Sequence, residues 1–137
     1  MTKQEAIELT KCRAKAITES RKGEWVYGYI QFFCGNSGAT NAMIHTHNKG
    51  FEESIFVDPK TVQRYIGRDN LYEDDLITIG KDPTIYCIVW DAKYLGWAYV
   101  GASDNLRKFP FTSSDFENGI KVVGNYLDNP ELWQKSA

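Results

Sequence analysis

The chain has 137 residues, a formal net charge of −2, 42% hydrophobic and 25% charged residues, and an aromatic content of 14%. That length suits one domain or a domain with a small appendage, and the composition excludes a chain disordered as a whole. The near-neutral balance excludes a histone-like nucleic-acid coat and an acidic decoy.

The first residues, Met1 to Thr10, hold no apolar core of signal-peptide length, and Glu5 and Glu8 interrupt them. Lys3 to Leu9 read as one or two helical turns. Lys11 to Ile17 alternate polar and small apolar residues, a strand pattern that Glu19-Ser-Arg-Lys-Gly23 ends as a turn. Glu24 to Cys34 are dense in aromatic and β-branched residues and read as a strand. Gly28 within it marks a bulge or a close backbone crossing. Gly35-Asn-Ser-Gly38 is a loop, Asn41 to His47 a strand, and Asn48-Lys-Gly50 a turn. Glu53 to Val57 form a short strand stopped by Asp58-Pro59, and Gln63 to Ile66 another, ending at a turn from Gly67 to Asn70.

Leu71 to Ile79 enter a strand through an acidic corner, and Gly80-Lys-Asp-Pro83 closes a hairpin with Thr84 to Trp90. Asp91 to Tyr94 turn into a strand around Gly96 to Val100. Phe109-Pro-Phe111 is expected to be irregular, and Thr112 to Asp115 to cap a helical turn. Gly119 to Leu127 read as a strand, followed by a helix with Asn129 as N-cap and Pro130 as its first residue. Eight to ten short strands with turn signals roughly every ten residues point to an all-β barrel or sandwich. No run approaches the about 20 apolar residues of a membrane helix, so no membrane partner is expected. Cys12, Cys34 and Cys87 are odd in number and form no Cys-x-x-Cys pair, which points to reduced thiols and the cytoplasm.

Four segments together resemble the YopX family of phage and prophage proteins. They are Gly23-Glu-Trp-Val-Tyr-Gly-Tyr29, Val57-Asp-Pro-Lys-Thr-Val-Gln-Arg-Tyr-Ile-Gly67, Leu71-Tyr-Glu-Asp-Asp-Leu-Ile77 with the strand Ile85 to Trp90, and Val122-Val-Gly-Asn-Tyr-Leu-Asp-Asn-Pro-Glu-Leu132. They stand in the family's order and span most of the chain. The resemblance implies a small SH3-like β-barrel with an additional N-terminal β segment and short terminal helices. The corresponding division is 1–57 for the N-terminal part and 58–137 for the barrel, meeting at Asp58-Pro59 or running on as one domain. Gly28, Gly67, Glu73, Asp75, Gly124, Asn125, Asn129 and Pro130 are then architectural. Three places depart from the family pattern. Cys12-Arg-Ala-Lys15 lacks the usual preceding aromatic, the turn after Gly67 is shortened to Arg68-Asp-Asn70, and Asp74 stands where the family has Gly. Aspartate tolerates positive φ better than most residues, so that corner is open to survive the change. The resemblance implies a phage- or prophage-encoded protein of the bacterial host cytoplasm that associates with itself. It carries over no catalytic residue and no cofactor.

The residues offer few alternatives. His45 and His47 share one strand face and are candidate metal ligands, but a stable zinc site needs three or four ligands, so a surface role weighs more. Glu73, Asp74 and Asp75, and Glu52 with Glu53, form carboxylate clusters that suit acid–base work or a hard cation, against a plain solvated turn. Ser37, Ser113 and Ser114 lack a nucleophile frame, and Gly35 to Gly38 lack the lysine and helix of a phosphate loop. Trp25, Tyr27, Tyr29 and Phe33 alternate on one strand face, while Trp90, Tyr94, Trp97 and Tyr99 form a second concentration. Trp25, Tyr27, Tyr29, Trp90, Trp97 and Tyr99 are therefore the interaction candidates. The first reading is a non-enzymatic, self-associating module whose partner is a second copy or a phage or host protein. The alternative is a nucleic-acid-binding barrel using Lys11, Arg13 and Lys15, and the third a metal-dependent enzyme through His45 and His47.

Overall fold

A computed structural model describes residues 11–34, 40–48, 51–103 and 106–135. The expected helix at Lys3 to Leu9 and the loop at Gly35 to Gly38 lie outside the described residues. So does most of the turn after Asn48. The fold is all-β, built from two five-stranded antiparallel sheets that do not close into barrels. The chain divides into two compact units, Met1–Tyr72 and Glu73–Ala137.

The first unit contains β1 (Lys11–Lys15), β2 (Trp25–Cys34), β3 (Thr40–Asn48), β4 (Phe51–Val57) and β5 (Gln63–Arg64), in the order β4-β3-β2-β1-β5. Strand alternation sorts the side chains. Ala14, Ala16, Val26, Ala42, Ile44, Ile55 and Val57 form the buried core, with Ile30 and Val62 packed against it. Gly28 sits opposite Cys12, and a Cβ there would collide with the His45 carbonyl oxygen and with Ile44 Cγ2. The glycine is therefore required by a close backbone approach, one of its two expected roles.

The segment after Asp58-Pro59 belongs to this unit, and the division falls after Tyr72. The Asp58 N–H donates to the Lys15 carbonyl at 2.9 Å, and the Lys15 N–H donates to Thr61 Oγ1 at 2.8 Å. A 3₁₀ turn at Pro59–Thr61, capped by the Asp58 carboxylate, is thereby tied to β1, with which β5 then pairs. Asp69 and Asn70 both have φ of 55°, and the Leu71 N–H donates to the Arg68 carbonyl at 3.2 Å. Two consecutive positive φ values make a hairpin turn, which bridges Tyr65 to Tyr72.

The second unit contains β6 (Asp75–Ile79), β7 (Tyr86–Asp91), β8 (Gly96–Gly101), β9 (Lys108–Pro110) and β10 (Ile120–Asn125), in the order β10-β6-β7-β8-β9. Two short helices accompany it, α1 (Ser113–Asn118) and α2 (Pro130–Lys135). The irregular segment expected at Phe109-Pro-Phe111 is a strand over its first part, pairing Ala98 with Pro110 and Tyr99 with Phe109. Proline is accommodated because β9 is an edge, where one N–H is not needed. Thr112 and Asp115 cap α1 reciprocally, as their spacing suggested.

Leu76, Cys87 and Val100 form the buried centre, with Val89, Val123, Leu132 and Trp133 packed against it. The Trp133 indole N–H donates to the Val100 carbonyl at 3.0 Å, fixing α2 to β8. Gly124 lies at a bulge in β10, and a Cβ there would come within 3.1 Å of Leu132 Cδ1. The glycine is what lets α2 lie this close. Pro130 opens α2 as expected, while the Asn129 side chain accepts from the Asn125 N–H at 3.4 Å. At the acidic corner Asp74 has φ of 68°, so the left-handed conformation is kept without glycine. Its N–H donates to the Ile88 carbonyl at 2.9 Å and its carbonyl accepts from the Tyr126 N–H at 2.8 Å. Asp75 is buried opposite Asn125, which gives Glu73-Asp-Asp75 an architectural role.

Candidate interaction face

The β1–β2 ladder sets three cations opposite three aromatics. Lys11 faces Tyr29, Arg13 faces Tyr27, and Lys15 faces Trp25. All six are on the face opposite the Ala14–Val26 core, because both strands alternate from it. The hairpin after β5 adds two further rings. The Arg13 guanidinium lies 5.0 Å from the Trp25 ring centroid and 4.7 Å from that of Tyr72. Lys15 stands 5.4 Å from Trp25 and Lys11 5.0 Å from Tyr65. Tyr72 packs on Tyr27 at 5.6 Å and on Tyr65 at 5.2 Å. Arg13 is only 9% exposed, and its Nε–H donates to Gln63 Oε1 at 2.7 Å. Burial of an arginine is tolerable when ring faces and a side-chain carbonyl replace its water.

The same sheet face continues through Gln31 and Phe33 of β2 and through His45 and Phe56. Phe33 and Phe56 meet edge to face at 6.0 Å. Tyr27 and Phe56 are exposed by 45% and 43%. His45 Nε2 donates to Gln31 Oε1 at 2.7 Å, and its Nδ1 shares a hydrogen bond with the Ser54 hydroxyl at 2.8 Å. Both ring nitrogens are thus engaged by protein groups, which favours the surface role for His45. The His47 side chain lies outside the described residues. No group of three or more His, Cys, Asp or Glu side chains placed to hold a metal occurs among the described residues.

The other three aromatic candidates lie in the second unit. Trp90 and Trp97 pair directly across β7 and β8, edge to face at 5.1 Å. Tyr99 packs against Tyr86, Phe109 and Phe111, and Phe111 stacks on Phe116 of α1. Its hydroxyl lies 3.4 Å from Asp115, and burial followed by the Asp115 charge pushes its pKa up to about 12. Tyr99 therefore holds α1 on the sheet. Burial, then the charges of Asp74, Asp75 and Glu73, push the Cys87 thiol up to about 12 as well. Cys12 is also buried, while Cys34 is exposed.

Tyr65, Tyr72 and Gln63 were absent from the residues singled out by sequence. Their contribution depends on β5 returning to β1, a long-range pairing with no local signature. Comparison of the chain with protein-family models, with curated proteins and with solved structures finds no match.

Proposed function

We propose that this chain is a YopX-like phage or prophage protein that acts by binding rather than catalysis. It works as a self-associating interaction module in the host cytoplasm, with a second copy as its first partner. The observation that carries the reading is the outer face of the first sheet. Trp25, Tyr27, Tyr29, Phe33 and Phe56 share it, and two of them leave over two-fifths of their surface exposed. Aromatic side chains of this kind dominate the cores of protein interfaces, where large rings bury much area at small entropic cost. The cations beneath them are already engaged with ring faces, so the face offers apolar contact more than loose positive charge. Light scattering coupled to size-exclusion chromatography tests this. An oligomer that dissociates in Tyr27→Glu and Phe56→Glu supports it. A wild-type monomer at the highest attainable concentration overturns it.

One observation favours nucleic acid as a second reading. The register aligns Lys11, Arg13 and Lys15 with Tyr29, Tyr27 and Trp25, interleaving charge and rings as single-strand binders do. Moreover, residues 1–72 hold ten Lys and Arg against eight Asp and Glu, whereas 73–137 hold six against ten. This reading requires oligonucleotide binding that weakens steeply with salt and with Lys11→Ala or Lys15→Ala. Absence of binding at low salt removes it.

A further inference from the structure

The second unit carries a groove of about 550 Å³ at the end of the sheet where β7, β8 and β9 meet. It exists because Gly96 and Ala98, on one face of β8, leave a small-residue floor between larger neighbours. A Cβ at Gly96 would find no atom nearer than the Tyr94 carbonyl oxygen at 3.9 Å. Pro110 stands beside Ala98 across the β8–β9 ladder, and Tyr94 lines the groove from the β7–β8 turn.

Polar groups converge on this floor. Asp91, across the ladder from Gly96, is 8% exposed. Its Oδ1 accepts from the Lys93 N–H at 3.0 Å and lies 3.9 Å from Lys108 Nζ. Both contacts use the same oxygen, and Oδ2 has no partner among the described residues. Arg107 and Lys108 both line the groove, in a unit with only six basic residues against ten acidic ones, and the Arg107 guanidinium lies 5.3 Å from the Phe109 ring centroid at its border. The Lys93 ammonium sits over the ring of the lining residue Tyr94 at 5.3 Å. Two of the unit's six basic residues therefore line one concavity of a unit whose formal charge is negative. The volume falls within the roughly 300–1,000 Å³ of small-ligand sites, and the lining has their mixture of apolar walls and few polar groups.

We propose that this groove binds a nucleotide unit, with phosphate on Arg107 and Lys108, a base N–H on Asp91 Oδ2, and the ring between Tyr94 and Pro110 over Gly96 and Ala98. A carboxylate accepts but does not donate, so it selects an amino or ring N–H edge. The two cations select an anion, and the tyrosine and proline suit a flat ring. A ligand with all three features is a nucleotide, either free or at a single-stranded end. The site is built from residues of the second unit alone.

Calorimetric titration of the full chain with adenosine, guanosine, cytidine and uridine monophosphates tests the proposal, with the matching nucleosides and inorganic phosphate as comparisons. At least one monophosphate is expected to bind more tightly than its nucleoside and than phosphate. The double change Arg107→Ala with Lys108→Ala is expected to weaken it about tenfold, at roughly a factor of three for each partly exposed ion pair. Gly96→Leu places a side chain on the floor, its Cβ meeting nothing nearer than 3.9 Å, and is expected to abolish binding while leaving the circular dichroism spectrum unchanged. A short oligonucleotide that binds more tightly than the monophosphate assigns the source as a strand end, and equal binding assigns it as free nucleotide. No binding at millimolar monophosphate overturns the proposal. So does phosphate binding as tightly as the nucleotide, or nucleotide binding that survives Gly96→Leu.

Discussion

Arg13 of β1 and Gln63 of β5 are joined by a buried hydrogen bond of 2.7 Å across fifty positions of sequence. The bond fixes the guanidinium between the Trp25 and Tyr72 rings, so three strands and a hairpin meet at one side chain. Arg13→Ala removes the ring contacts and the Nε–H bond to Gln63, a residue only 2% exposed. A loss of about 3 kcal/mol is expected, from the buried hydrogen bond to a charged donor together with the buried cation–π contacts. Arg13→Lys keeps the charge but not the Nε donor, and is expected to fall between. A double-mutant cycle with Gln63→Ala, read by urea denaturation, is expected to return a coupling of about 1.5 kcal/mol or more.

Gly28 makes the sharpest steric demand in the first sheet. The His45 carbonyl occupies the place a Cβ would take, and the obstacle is backbone rather than a movable side-chain tip. Gly28→Ala is therefore expected to cost about 3 kcal/mol or to prevent folding. Gly96→Ala, with open space around it, is the matched control and is expected to change stability by less than about 0.5 kcal/mol. Equal losses in the two variants would falsify the crossing argument.

These residues show what was legible in the chain and what was not. Period-two alternation placed Trp25, Tyr27, Tyr29 and Phe33 on one face, because a strand's geometry is local. Thr112, Asp115 and Pro130 announced their helices for the same reason, through caps and a fixed φ. The partnership of Arg13 with Gln63 and Tyr72 is invisible locally, since it exists only once β5 returns to β1. β9 was missed because Pro110 argues against a strand unless the edge position is known. The groove was missed because Gly96 and Ala98 matter there by their small size, and composition cannot say which small residues face an open space.

The three cysteines are expected to react in sharply different ways. Cys34 is exposed, whereas Cys12 and Cys87 are buried. Only one thiol equivalent should therefore react quickly with Ellman's reagent in the native protein, and Cys34→Ser should remove it. The raised pKa of Cys87, from 9.0 to about 12, also has a consequence for stability. The folded state favours the neutral thiol, so its contribution is complete below 9.0, where the unfolded thiol is also protonated. As pH rises from 9.0 towards about 12 the unfolded state gains by ionising and stability falls. Cys87→Ala is expected to reduce that alkaline slope in denaturation curves.

Asp82 works in the opposite direction. Its carboxylate accepts from the Thr84 N–H at 2.9 Å and the Tyr86 hydroxyl at 3.0 Å, and the Thr84 bond leads in holding its pKa below 3.8. The charged form is favoured by folding, so the contribution is present above 3.8 and is lost as pH falls through the lower folded value. The group is exposed, which limits the effect to below about 1 kcal/mol. The stability difference between wild type and Asp82→Asn is expected to be greatest near neutral pH and to vanish in strong acid. A difference that persists in acid would assign the residue a purely steric role.

Leu95 ends the turn between β7 and β8 with φ of 51°, and its side chain is 76% exposed. A branched apolar residue gains nothing from that exposure, and the left-handed conformation costs an L-residue about 1–2 kcal/mol. Asp74 pays less for its φ of 68° because a short polar side chain suits that region. Leu95→Gly is therefore expected to raise stability by about 1 kcal/mol, and Asp74→Gly by a smaller amount, because glycine's extra unfolded-state freedom offsets part of each gain. Thermal denaturation of the two variants side by side measures the contrast. A destabilised Leu95→Gly would show that the leucine makes a contact worth more than its backbone strain.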